Sequence, residues 1–317
     1  MRLLVALATQ VLHIALVLAA APTLSGALAW LQARLQGRAG PPLLAPWYRL
    51  ARLCRKQPVR PETATALSAL APPMAFAAVA AAAALVPSFA LGMAFAPLAD
   101  LLAIAGLLAL ARTVLALAGF DSGNAIGGLG AGRTMAIGGL AGPALLLVVL
   151  GFALLAGGTN LDAVAALQAE NAGAPAACGL GFAALMLVAV ADTAQDPAGD
   201  APRAETGMLR ESLTLAFSGR DLALIESAAA LQRLVWLNLI AVLFLPFGLA
   251  PADASPLAWV FGLICWGVKL VLLGLGLALV ETLIGPVRLA RLPAMLGAAA
   301  LFGALGVAVL LAGLSPA

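Results

Sequence analysis

Long apolar runs broken by proline, glycine and charge fill most of this chain. A helix needs about 20 apolar residues to cross a hydrocarbon core of about 30 Å. Eight stretches qualify, at 3–31, 69–91, 97–118, 135–157, 176–193, 222–249, 256–283 and 294–314. Between the first two, Gly37-Arg38-Ala39-Gly40-Pro41-Pro42 is expected not to be helical, since its consecutive prolines fix an extended turn there. From Pro46 onward, Trp47, Leu50 and Cys54 recur on one side of a helix while Arg49, Arg52 and Lys56 take another. This predicts a short amphipathic helix in the membrane interface, serving as an anionic-lipid anchor or as a docking platform for a cytoplasmic partner.

Two other polar segments interrupt the runs. Residues 119–134 read as a glycine-rich loop whose backbone packs closely on a neighbour. It is no dinucleotide fingerprint: the third glycine of that pattern falls at Arg133, and no strand precedes it. Residues 194–221 are the most polar part of the chain. A short helix there leans Glu205 and Glu211 toward the same side; a solvated acidic loop is the plainer reading. No heptad, solenoid or internal duplication is visible.

Composition turns the pattern into a fold class. With 63% hydrophobic and 10% charged residues and a mean hydropathy of +1.08, a soluble domain is excluded. Aromatic content of 5% and a single tyrosine, Tyr48, leave Ala and Leu as the apolar mass, which favours helix over the alternating strands of an outer-membrane barrel. The expectation is an all-α polytopic bundle over residues 1–317, one integral membrane domain of eight spans plus the interfacial helix. The formal net charge of +3 adds orientation rather than a partner. Thirteen of seventeen basic residues fall in the alternate loops 34–66, 119–134, 194–221 and 284–293, and none in the three loops between. That face is therefore expected in the cytoplasm of a bacterial inner membrane, with both termini outside, and nucleic acid is not needed to explain the charge. A cleavable signal peptide is the rival reading of the first segment. Cys54, Cys178 and Cys265 show no CxxC spacing, so neither disulfide framework nor metal site is encoded, and any redox cofactor is expected on another chain.

Ionisable groups inside spans are costly and mark candidate sites. Arg233 and Lys269 fall near the midplanes of the sixth and seventh spans. Glu226 lies seven residues before Arg233 on the same face, and Glu281, Asp192 and Arg112 lie toward cytoplasmic helix ends. This predicts a polar file for protons or ions, or charge pairs that merely hold helices together. His13 reads as a hydrogen-bonded packing residue.

Three segments resemble one family: Arg34 to Lys56 (RLQGRAGPPLLAPWYRLARLCRK), Gly119 to Met135 (GFDSGNAIGGLGAGRTM) and Glu205 to Glu226 (ETGMLRESLTLAFSGRDLALIE). They are similar to the membrane-anchor subunit of group 4 energy-converting NiFe hydrogenases, including formate hydrogenlyase subunit 4, which is related to the membrane subunit that completes the quinone chamber of respiratory complex I. The resemblance covers nearly the whole chain. It implies a cofactor-free, non-catalytic subunit that seats the hydrogenase small and large subunits, which carry the iron–sulfur clusters and NiFe centre, and that connects them to antiporter-like membrane subunits. Docking then falls to Arg38, Arg49, Arg52, Asp121, Arg133, Ser218 and Asp221, and proton passage to Glu205, Glu211, Glu226, Arg233, Lys269 and Glu281. The Pro41-Pro42 form of the first loop favours the hydrogenase branch over a complex I quinone-chamber subunit; a stand-alone ion transporter is the third reading. The chain departs from the family where Arg133-Thr134-Met135 replaces Arg-Glu-Met, Gly142-Pro143 replaces Glu-Pro and Ala216-Phe217-Ser218-Gly219 replaces Glu-Tyr-Ser-Gly, so three expected acids are absent.

Overall fold

The computed structural model describes residues 2–170, 175–193, 212–251, 256–284 and 291–314. Its helices are α1 (Arg2–Leu35), α2 (Ala45–Cys54), α3 (Ala66–Leu85), α4 (Leu101–Asp121), α5 (Ala125–Ala156), α6 (Leu161–Glu170), α7 (Pro175–Thr193), α8 (Gly219–Phe244), α9 (Pro256–Ile284) and α10 (Leu292–Leu314). Each of the eight apolar runs is helical. Seven of these helices are long and apolar enough to cross a membrane, and α7 carries a shorter apolar stretch, Cys178–Asp192. The all-α membrane bundle expected from hydropathy is thus the fold, and α2 is the interfacial helix.

Three boundaries differ from the pattern. The glycine-rich segment is mostly helix rather than loop: Asn124 caps α5 by accepting from the Ile126 amide at 3.2 Å, and the helix starts at Ala125. In an apolar setting an unpaired backbone costs more than glycine's lost conformational freedom, so intrahelical hydrogen bonds win. Close packing is nevertheless found where it was expected, since a side chain on Gly119 would strike Leu213 and one on Gly127 would strike Ser122. The second span ends early, at Leu85, because Val86 precedes Pro87 and is driven into an extended conformation. The short α6 follows Asn160, whose side chain accepts from the Asp162 and Ala163 amides; hydropathy alone does not separate so short a helix from a loop.

The central helix is α8. In its most apolar window 78% of residues are buried, against 28–44% in the other six spans. It packs on α1, α2, α3, α7 and α9, while α10 closes the far side against α5 and α7. A central helix in lipid need not be amphipathic, and its polar residues face protein instead of hydrocarbon. His13 on α1 is fully buried and bridges to the turn after α3, with Nδ1 2.7 Å from Ser88 Oγ and Nε2 3.1 Å from the Ala83 carbonyl. That is the packing role its isolation suggested.

Candidate functional site

The helix that the bundle buries most deeply also carries its polar chemistry. From its N-terminal end, α8 presents Asp221, Glu226, Gln232, Arg233 and Asn238, each against a different neighbour.

At its first turn, α8 meets an extended strap formed by residues 57–65. Arg60 binds the Asp221 carboxylate at 2.9 Å through both Nε and Nη2. Ser218 Oγ accepts from the Val59 amide at 2.8 Å. Gly219 has φ of +56° and lies so close to the Gln57 carbonyl that a side chain would collide with it, so glycine is required twice over, by conformation and by space. The strap's other end is fixed to α4: Asp121 accepts from the backbone and side chains of both Thr65 and Ser68, the shortest contact being 2.6 Å from Ser68 Oγ. Asp121, Ser218 and Asp221, read from sequence as docking residues, therefore hold the strap against α4 and α8. Arg133 on α5 and Arg38 before α2 are exposed, and neither is joined to the strap by a hydrogen bond or ion pair among the described residues.

One turn further in, Glu226 accepts from Arg49 of α2 at 2.6 Å, with the arginine side chain 58% exposed. Arg220 Nε donates to the Cys54 carbonyl at 3.3 Å, which ties the end of α2 to the start of α8.

Two deeper clusters flank α8. On one side Asp192 of α7 accepts from Arg112 Nη2 at 2.6 Å, Trp236 Nε1 at 2.7 Å and Gln232 Nε2. This joins α4, α7 and α8 beside a partly open pocket lined by Arg112, Thr134, Asp192, Thr214, Phe217 and Gln232 among others. The Thr134 hydroxyl is buried there without a hydrogen-bond partner among the described residues. It occupies the position where the family resemblance leads one to expect a glutamate. On the other side Arg233 Nη1 lies 3.4 Å from Ser25 Oγ of α1, and Gln32, seven residues further along the same helix, donates to Glu281 of α9.

Lys269 is placed differently. It is buried near the middle of α9, and its ammonium lies 4.5 Å from the centroid of the Phe247 ring, beyond the far end of α8. Arg233 and Glu281 thus both meet α1, Glu226 joins α2 at the surface, and Lys269 turns toward the opposite end of the bundle. Glu205 and Glu211 lie outside the described residues. Among those residues, no three His, Cys, Asp or Glu side chains converge as a metal site.

Sequence reasoning missed the neutral members of these clusters: Ser25, Gln32, Gln232, Trp236 and Asn238, whose Oδ1 accepts from Trp266 at 2.9 Å. A signal was available, because any amide inside an apolar run must find a partner.

Comparison with known proteins agrees with this architecture. Over 229 residues the chain is 31% identical to hydrogenase-4 component C of Escherichia coli (strain K12), covering 72% of each chain. It is 29% identical over 277 residues to formate hydrogenlyase subunit 4 of the same organism, covering 86% of this chain and 88% of that one. Its fold is similar to that of a chain in the membrane-bound sulfane sulfur reductase, an archaeal respiratory membrane complex, with a TM-score of 0.77 at 17% identity over 95% of this chain and 98% of the other. Residues 7–312 match the NADH dehydrogenase family. Since that match takes in every membrane helix, the polar α8 and the strap that clasps it, the chain belongs to the NADH dehydrogenase family.

Proposed function

We propose that this chain is the membrane subunit of a hydrogenase or complex I-like oxidoreductase, lying in the inner membrane with its basic loops in the cytoplasm. Its cytoplasmic surface seats NiFe hydrogenase small and large subunits, and α8 links that surface to proton translocation by antiporter-like membrane subunits. The iron–sulfur clusters and NiFe centre belong to the partners, and this chain performs no redox step itself.

The observation that carries this reading is the continuity between surface and interior along one helix. A protein seated on the 57–65 strap acts on Arg60–Asp221 and, through α2, on Arg49–Glu226. Both pairs belong to the same helix that holds Gln232 and Arg233 within the bundle. A shift of α8 by a fraction of a turn alters those buried contacts together, because packed interiors respond as units. Similarity to hydrogenase-4 component C and formate hydrogenlyase subunit 4 supports a partner of the hydrogenase kind.

The test is a charge exchange read by affinity purification of the tagged chain from membranes. Arg60→Asp should release the cytoplasmic subunits at least about tenfold more readily, the scale of one truncated, partly desolvated charge pair. Adding Asp221→Arg to Arg60→Asp should restore them. Undiminished recovery with the single variant, or no rescue by the double one, would show that the strap is not the seat.

A further inference from the structure

The face of α2 that turns away from the bundle is left unclaimed by this docking surface. Arg49 and the half-buried Leu50 and Leu53 point inward, and no residue of α2 is fully buried. Trp47 (39% exposed) and Tyr48 (62%) lie on the outer side with Arg52, following the exposed Leu43 and Leu44.

Depth can be read from what α2 touches. The Leu43 carbonyl abuts Gly26 of α1 so closely that any side chain there would overlap it. Gly26 is nine residues before the end of α1, about 14 Å back along the helix. At the other end, Cys54 is tied to Arg220 in the first turn of α8, whereas Arg49 reaches Glu226, six residues deeper. So α2 runs obliquely outward, with Leu43, Leu44, Trp47 and Tyr48 at its membrane end and Arg52, Arg55 and Lys56 at its cytoplasmic end. Trp30 of α1, stacked beneath Arg34 at 5.4 Å, joins the aromatic level. Among the described residues, none of Arg52, Arg55 and Lys56 forms an ion pair.

Apolar residues deepest, aromatic rings next and unpaired cations outermost is the order of acyl chain, glycerol backbone and phosphate across a leaflet. A protein interface would instead call for a desolvated aromatic core ringed by polar groups. We infer that the outer face of α2 is a binding site for an anionic phospholipid, with Trp47 and Tyr48 against its glycerol region and Arg52, Arg55 and Lys56 around its phosphate. Arg52 thereby leaves the docking set read from sequence.

Native mass spectrometry of the detergent-extracted full chain, titrated with phosphatidylglycerol, phosphatidylcholine or inorganic phosphate, tests this. Phosphatidylglycerol should bind about tenfold better than phosphatidylcholine, the scale of a few cations near an anionic surface, and inorganic phosphate should not compete. The triple variant Arg52→Gln, Arg55→Gln, Lys56→Gln should lose the preference, while Trp47→Ala with Tyr48→Ala should weaken both lipids. These positions are exposed, and an unchanged circular dichroism spectrum would show that the variants fold. Equal binding of the two lipids, a preference surviving the triple variant, or displacement by phosphate would overturn the proposal. So would loss of cytoplasmic subunits from the purified complex with lipid preference intact, which would assign the face to protein.

Discussion

Asp192 shows how a carboxylate persists inside an apolar bundle. Its two oxygens receive a guanidinium, an indole and an amide, and the pair with Arg112 leaves only 8% and 14% of the two side chains exposed. Removing the acid leaves three buried donors without an acceptor, and breaking a buried pair costs about 3–5 kcal/mol. Asp192→Ala should therefore lower the thermal midpoint of the detergent-solubilised chain by several degrees. Asp192→Asn, which keeps an acceptor, should cost less. Equal midpoints for wild type and Asp192→Ala would mean that the cluster does not hold α4, α7 and α8 together.

At the scale of elements, the ends of helices are fixed by residues outside the hydrophobic pattern. Asp100 caps α4 through the Leu102 amide at 2.7 Å and reaches across to Thr159, just before α6, at 2.6 Å. The Thr159 hydroxyl, followed by backbone amides, holds the Asp100 carboxyl below its ordinary value of 3.8. A depressed acid contributes stability that is complete above the unfolded value and fades as pH falls through the folded one. The advantage of wild type over Asp100→Asn should thus be full at neutral pH and shrink below about pH 4. Asp162, which accepts from the Gly92 amide at 2.8 Å, has the opposite sign. Burial raises its carboxyl, so its contribution diminishes as pH rises through that elevated value. Stability followed against pH for the single variants separates the two. If the Asp100→Asn difference were constant with pH, the cap would not depend on charge.

Over the whole molecule, the proposed role makes Glu226 a point where surface and interior meet. Its pair with Arg49 is mostly solvent-exposed on the arginine side, and such pairs contribute about 1 kcal/mol or less. Glu226→Gln should consequently leave folding and complex recovery intact while lowering proton translocation per hydrogen produced, measured in inverted vesicles. Unchanged coupling would remove Glu226 from the path; a complex that fell apart would make it structural. Lys269 was legible in the sequence as a midplane cation, but its direction was not. Only the packing of the turn at Phe247 against α9 turned it toward the end of the bundle away from Glu226.

The sequence by itself determined that this is a helical membrane protein, where its spans run, that α2 lies at their edge, and which family it resembles. Those properties are local or compositional: twenty apolar residues or a charged turn carry the same physical meaning wherever they occur, whereas consecutive prolines do not, since Pro41-Pro42 stand outside any helix and Pro72-Pro73 lie inside α3. Tertiary structure alone decided that the glycine-rich segment becomes the start of α5, that α8 is the centre, and that Asp121, Ser218 and Asp221 hold the strap against α4 and α8. It also decided that Thr134 sits beside the Asp192 cluster with no hydrogen-bond partner among the described residues. Each depends on which helices become neighbours. In lipid every polar group must find its partner within protein, and one-dimensional spacing does not say from which helix that partner comes.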